Sequence, residues 1–500
     1  MQKQVTALIL SLLMAGTLFS CGADAQPGTD TTSGNDTDAV TEPADNGPKS
    51  GVPDSVKFDG ETVSILNSQY HEKYFALLDT FEATGDSVSD SVYNRNLAVM
   101  DKLGVTFTVT NMFDKEGDGY AKMRLDIESG SGEFDLYFGN QYRNVSLAVN
   151  DYCFDMKDAP YIDVSQPWWY ADYMENINFN DRHRYILNGD FSLNFLHQIA
   201  AVYFNKSLME DYFGDADFLY DEVLDGKWTL ERMMELVANV WDDKNGNQKI
   251  DFSDTIGLAM QDTNYINYTL FFAAGGEVTV TESDGSVIIN NNIERNVDIS
   301  STIFKLVRGT TGVYLNDGKD GFAKLSEAAD NGFPQKFSEG TMLFTIGQIN
   351  TTDQLRDMKD DYGVIPYPKF DASGEYRSIV QDHAASVSLP KNTTRSELCA
   401  AVIEEMTFQG YMTMVPDYYS IVLKNKYMRD TDDKAMQILD LIHDTAYTQV
   451  GFAYGAHLNG LWRISRETIS KNNDNYATLW AAALSKATEK FKTIQEYFSK

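Results

Sequence analysis

Three stretches decide the fold of this chain: TVSILNSQY (62–70), VTFTV (105–109) and FDLYFGNQY (134–142). Each is a short run of β-branched and aromatic residues, the composition of a strand with a buried face. Between them lie helical stretches, one through Tyr93–Met100 and one over Tyr120–Ser129. Strand, helix, strand, helix, strand predicts a parallel α/β sheet. In such sheets ligands lie beyond the carboxyl ends of the strands. Here those ends read Asn67-Ser68-Gln69-Tyr70 and Asn140-Gln141-Tyr142, amide-rich and aromatic. Gln69, Tyr70, Asn140 and Gln141 are therefore candidate ligand contacts.

A second α/β pattern follows. Ala200–Asn205 predicts a strand, and Thr229 is placed to cap a helix over Glu231–Val240. Tyr268–Ala274 continues as a helix up to Gly275-Gly276, Met342–Ile346 and Tyr362–Ile365 predict strands, and the chain from Glu397 onward is mainly helical. At 500 residues, with 43% hydrophobic and 23% charged residues, the chain has room for two or three packed units. Its 41 basic and 74 acidic residues give a net charge of −33. That charge sets the chain against phosphate backbones and anionic lipid surfaces, so no nucleic-acid partner is expected. Three cysteines, Cys21, Cys153 and Cys399, are too few for a disulfide framework or a zinc ribbon.

The N-terminus reads as an address. Val5–Phe19 is apolar but shorter than a spanning helix, and Leu18-Phe19-Ser20-Cys21 puts a small residue before a cysteine. This resembles the lipobox of bacterial lipoproteins, which implies a signal peptide over 1–20, acylation of Cys21, and a location at the outer or periplasmic face of the cell membrane. Residues 22–53 carry no aromatic residue and are rich in Asp, Thr, Gly and Pro. They predict a solvated tether with a root-mean-square reach of roughly 30 Å. The membrane would then be met through the lipid anchor alone.

The order of the pieces resembles the extracellular solute-binding proteins of ABC transporters, of the maltose-binding-protein type. The resemblance covers about 57–500. It rests on Phe134–Tyr137, Tyr203–Lys206 before Trp228-Thr229, Ala273–Gly276, Ser338–Phe344, Tyr362–Lys369, Ser388–Lys391 and Leu461-Trp462. It implies a two-lobed type II periplasmic-binding-protein fold, with parallel-sheet α/β lobes joined by hinge strands and a helical C-terminal region. The implied division is 54–165 with 376–415 as lobe one and 166–375 with 416–500 as lobe two. The chain would leave lobe one near Asp163, return near Tyr376 and cross again near Pro416. A monomer is expected, with ABC permease transmembrane subunits as partners and no enzymatic activity.

Carbohydrate is the ligand class that the residues favour. Sugar C–H faces lie well on aromatic rings, and hydroxyls want planar amide or carboxylate partners. The aromatic candidates are Trp168 and Trp169 near the first crossing, with Tyr265 and Trp462 at positions that resemble the family's stacking residues. Adjacent tryptophans can equally be a buried wedge under the hinge. After Leu343–Ile346 the family type carries Gly-Pro-Trp, whereas this chain reads Gly347-Gln348-Ile349-Asn350. Gln348 and Asn350 thus stand where an indole would, which puts maltose itself in doubt. Asp190, His383 and Asn459 are further polar candidates, though a lone Asp after Gly is commonly a turn residue.

One loop speaks for a metal. Asp243, Asn245, Asn247, Lys249 (through its carbonyl), Asp251 and Asp254 occupy positions 1, 3, 5, 7, 9 and 12 of a calcium loop. Gln248 replaces the turn glycine and Asp254 the bidentate Glu. A structural Ca2+ that pins the second lobe is one expectation, and an Asx-rich surface turn that binds nothing is the other. The competing function is a secreted polysaccharide-active hydrolase or another surface glycan-binding lipoprotein. No His-Glu-x-x-His, Gly-x-Ser-x-Gly or phosphate loop is present to favour the enzyme.

Overall fold

The computed structural model describes residues 47–113, 117–180, 182–261, 264–316, 334–424 and 433–499, with the side chains of 264–267 and 421–424 outside that set. Met1–Pro48 forms one unit and Lys49–Lys500 another, the body. Cys21 and most of the expected tether lie outside the described residues. The body takes in the tether's last residues: Val52 is buried, and the Gly51 N–H donates to Glu404 Oε1 at 3.0 Å.

Two main sheets organise the body. The first contains β1 (Thr62–Gln69), β2 (Thr106–Phe113), β3 (Leu136–Asn140) and β13 (Ala385–Ser388), in the order β13-β3-β1-β2. As expected, β1 is parallel to β2 and β3, with Ile65 opposite both Val109 and Leu136. The helix Ser87–Leu103 joins β1 to β2. It is started by the Asp86 side chain, which accepts from the Ser89 N–H, and stopped by Gly104 at φ 65°.

The second sheet contains β4 (Ala200–Asn205), β5 (Trp241–Asp242), β6 (Thr255–Gln261), β9 (Val313–Asn316), β10 (Met342–Gln348) and β11 (Tyr362–Ile365). Its path is β11-β4-β10-β6-β5, and β9 also pairs with β6. Thr229 caps the following helix, Leu230–Ala238, as the sequence predicts, its hydroxyl accepting from the Arg232 N–H at 3.2 Å. Two small pairs complete the strands: β7 (Thr279–Thr281) with β8 (Val287–Ile289), and β12 (Ser378–Ile379) with β14 (Ala446–Tyr447).

Both sheets are mixed rather than purely parallel. β13 runs antiparallel to β3, and β4 runs antiparallel to β10 and β11. The reason is connectivity. β4 and β13 are the strands that arrive from the other sheet, so each begins at the edge where its parallel neighbours end. Ala200 therefore pairs with Gln348, and Ala385 with Asn140.

The two arriving segments run side by side. Leu187 bridges Val387 and Ile199 bridges Val380, both antiparallel. The first crossing thus falls over 187–199, later than the Asp163 that the resemblance implies, and the return falls over 380–384. The intervening 163–186 is mostly turn with one short helix, Ala171–Ile177, which carries no strand periodicity to mark it. Around Pro416, where the resemblance implies a further crossing, the chain is helical. Ser396–Gln409 continues through a π-turn, Gly410–Met414, into Val415–Lys424. Pro416 lacks the N–H that an unbroken helix would use, and the π-turn precedes it. At Gly410 a Cβ would stand 1.8 Å from the Asp190 carbonyl oxygen, so only glycine lets the helix rest on the crossing segment.

Candidate functional site

The ends of β10, β6 and β9 and the start of β4 form one edge of the second sheet. The ends of β1 and β3 and the start of β13 form the corresponding edge of the first. Side chains from these edges meet. Tyr74, on the 3-10 turn Glu72–Leu77 after β1, accepts at its hydroxyl from Gln198 Nε2 and from Asn350 Nδ2, each at 3.0 Å. Gln348 Nε2 donates to Gln198 Oε1 at 2.6 Å and to Gln381 Oε1 at 2.7 Å. Tyr203 on β4 fixes the bend after β10, donating to the carbonyls of Gln348 (2.7 Å) and Ile349 (3.0 Å). Gln348 and Asn350 are 2% and 4% exposed, so these amides are engaged in a bond network between the two sheets rather than open to solvent.

Beside this network the return crossing carries three partly exposed polar residues, Gln381, Asp382 and His383, between buried Val380 and Ala384. Tyr70 stacks on His383 with ring centroids 3.9 Å apart and planes 14° apart, and Tyr142 approaches the same ring at 5.6 Å. The Asp382 side chain is 39% exposed and lies 3.8 Å from His383 Nε2. Burial nonetheless raises its carboxyl above the ordinary range, with His383 opposing. Its charge also contributes to raising the Tyr173 and Tyr268 phenols, after burial, the larger cause at both. Asp382 is thus partly enclosed on the return crossing yet open to solvent. Tyr173 donates its hydroxyl proton to Gln141 Oε1.

The sequence candidates divide accordingly. Tyr70, Gln348, Asn350 and His383 come together. Gln69, Asn140 and Gln141 stand at the same strand ends but are buried, Gln69 donating to Asn67 Oδ1. Trp462 is half-buried against Tyr268 (5.4 Å) and Phe452 (5.8 Å), with one part still open. The Tyr265 side chain lies outside the described residues.

Four candidates stand apart from this cluster. Trp168 is 1% exposed and packs edge-on against Phe408, and Trp169 donates from Nε1 to Glu404 Oε2 at 3.1 Å. Both form the wedge under the crossing, because the segment pairs with Gly189 and presents its indoles to the helix Ser396–Gln409. Asp190 is buried too, accepting from the Tyr170 hydroxyl at 2.7 Å and lying 3.5 Å from His443 Nε2. Asn459 is a turn residue at φ 49°, its amide donating to the Ala483 carbonyl.

Tyr74, Gln198, Gln381 and Asp382 escape a reading of the sequence. For Asp382 a signal does exist: a three-residue polar run interrupts an otherwise apolar strand-like stretch, Ser378–Val387.

The 243–254 loop is folded tightly. Asp243 accepts from the N–H groups of Gly246 (2.7 Å), Asn247 (3.2 Å) and Gln248 (2.7 Å). Gln248 takes φ 58°, the left-handed conformation for which a glycine is usual. The amides of Asn245 and Asn247 both donate to Asp251 Oδ2, at 2.8 and 2.6 Å, and Asp254 accepts from Trp241 Nε1 and the Lys244 N–H. Hydrogen bonds, chiefly from Ser253, hold the Asp251 carboxyl well below the usual range. Among the described residues, no three His, Cys, Asp or Glu side chains gather as a metal site. Oxygen donors of the expected kind are present, but their lone pairs face the loop's own donors.

No protein-family model matches the chain, and no curated protein matches it. Solved structures do. An ABC-transporter solute-binding protein from Thermotoga Lettingae TMO, bound with alpha-D-tagatose, is similar at 14% identity and TM-score 0.51, over 86% of this chain and 100% of that one. A cyclo/maltodextrin-binding protein complexed with maltotetraose is similar at 12% identity and TM-score 0.52, over 88% and 98%. Two sheets joined by paired crossings, with polar side chains gathered between them, agree with those likenesses: the chain has the two-lobed fold of the ABC-transporter solute-binding proteins.

Proposed function

We propose that the protein binds a carbohydrate or polyol between its two sheets and hands it to an ABC permease, acting as a binding subunit and not as an enzyme. The observation that carries this reading is the partly exposed Gln381-Asp382-His383 floor under Tyr70, placed on the crossing that links the two sheets. Aromatic faces beside amide and carboxylate groups suit a sugar, and residues on a crossing report lobe closure to the surface. The two similar structures, bound with tagatose and with maltotetraose, support the same ligand class. The reading includes acylation at Cys21, cleavage after Ser20, a monomer on the outer or periplasmic side of the membrane, and weak calcium binding at Asp243–Asp254.

Calorimetry and thermal shift with D-tagatose, ribitol, maltose and maltotetraose test the central claim. Saturable binding without release of smaller sugars is expected, with stabilisation of about 2.7 kcal/mol at a hundredfold excess over Kd. Turnover of a polysaccharide would favour the hydrolase. Of the floor residues only Asp382 is a carboxylate, whereas glycoside hydrolysis ordinarily uses two.

A further inference from the structure

We propose that Asp382 is the specificity-determining residue of this cleft: its two carboxylate oxygens take two adjacent hydroxyls of a ring seated beside the Tyr70–His383 stack. The proposal rests on the carbohydrate reading above and narrows it to saccharides with a free vicinal diol and no anionic group at that ring.

Position comes first. Asp382 lies on the return crossing, beside Gln381, whose side chain joins the network between the sheets, and beside His383, whose ring is covered by Tyr70. It is 39% exposed, which leaves its oxygens reachable. Its carboxylate lies 3.8 Å from His383 Nε2, too long for a hydrogen bond, and its own backbone N–H is turned toward it. Among the described residues, the other titratable groups on which its charge acts are phenols, Tyr173 from Ala171–Ile177 and Tyr268 from Asn264–Ala273. The cleft therefore holds a partly enclosed carboxylate that is still within reach of a ligand's donors.

An ionised carboxylate is an acceptor only. A ligand that brings two O–H groups satisfies both oxygens. A ligand that brings an ether, or a carboxylate of its own, leaves the charge enclosed and unpaired, which is penalised more heavily than a missing contact. Selectivity thus follows from what the site refuses. The neighbouring amides are already partly engaged, Gln348 with Gln198 and Gln381, and Asn350 through its Nδ2 with Tyr74.

The test uses the full chain and Asp382→Asn. Dissociation constants are measured for the best binder among D-tagatose, ribitol, maltose and maltotetraose, and for galacturonate oligomers as the acidic probe. Melting is measured without ligand. Asp382→Asn should weaken the neutral ligand by about ten- to a hundredfold, the loss expected for hydrogen bonds to a charged acceptor. Its unliganded melting temperature should equal or exceed that of the parent, since an unpaired charge has gone. The parent should not bind the acidic probe.

A neutral-ligand affinity within twofold of the parent, or tight galacturonate binding by the parent, overturns the assignment while leaving the carbohydrate reading intact. A melting temperature several degrees lower assigns Asp382 a structural role and also overturns it. Failure of every neutral probe to bind the parent protein defeats the carbohydrate reading itself, and the assignment with it.

Discussion

His443 shows how far a single side chain departs from the behaviour its letter suggests. It sits in the helix Asp433–Asp444, 3.5 Å from Asp190 and 3.1 Å from Asp444. Burial alone would lower its pKa, but the two carboxylates outweigh burial and push it up to about 10 from 6.5. The sign follows from linkage. A folded pKa above the unfolded value contributes stability that is complete below about pH 6.5 and is lost as pH rises through about 10. Asp190→Asn should cost about 3–5 kcal/mol at neutral pH, because it removes the buried one of the two carboxylates that hold the imidazolium and leaves only the exposed Asp444. Urea unfolding at pH 7 and pH 10.5 checks this: the parent should weaken between the two, and the variant should weaken much less. Equal losses in both would remove His443 from the account. Asp190 also explains why part of the site was illegible. In Asn188-Gly189-Asp190 the letters fit a turn, a ligand contact or a buried ion pair equally well. Only His443, more than 250 positions away, decides among them.

Elements were far more legible than residues. β1, β3, β4 and β10, and the cap at Thr229, lie where local composition puts them, because strand and cap signals act within a few residues. Strand direction was not legible in the same way. It depends on which strands arrive through the crossings, a property of the whole path. The same limit applies to Trp168 and Trp169, whose adjacency is visible in sequence but whose partners, Phe408 and Glu404, come from a distant helix. The Asp243–Asp254 loop offers a test at this scale. Calcium must replace N–H groups that now occupy Asp243 and Asp251, so binding should be weak. Millimolar calcium should raise the melting temperature by a few degrees, and Asp243→Ala should abolish the rise. Superimposable melting curves in calcium and in chelator would make the loop an Asx-rich turn.

At the scale of the whole molecule, the Cys21 proposal makes a separate prediction. Among the described residues no helix is long and apolar enough to cross a membrane. Cys21→Ser should therefore move the protein from the membrane fraction to the soluble fraction, as two acyl chains hold a protein stably and none does not. Retention of the variant after a high-salt wash would refute the anchor. If the anchor is there, the point where the N-terminal segment joins the body acquires a mechanical meaning. Glu404 accepts from the Gly51 N–H through one oxygen and from Trp169 Nε1 through the other. Trp169 in turn pairs with Gly189, at the head of the first crossing. Tension applied at residue 49 should thus reach the first crossing by way of Glu404 and Trp169. A force trap that pulls at residue 49 should shift the lobes' opening rate in the parent, and Glu404→Gln should blunt that response.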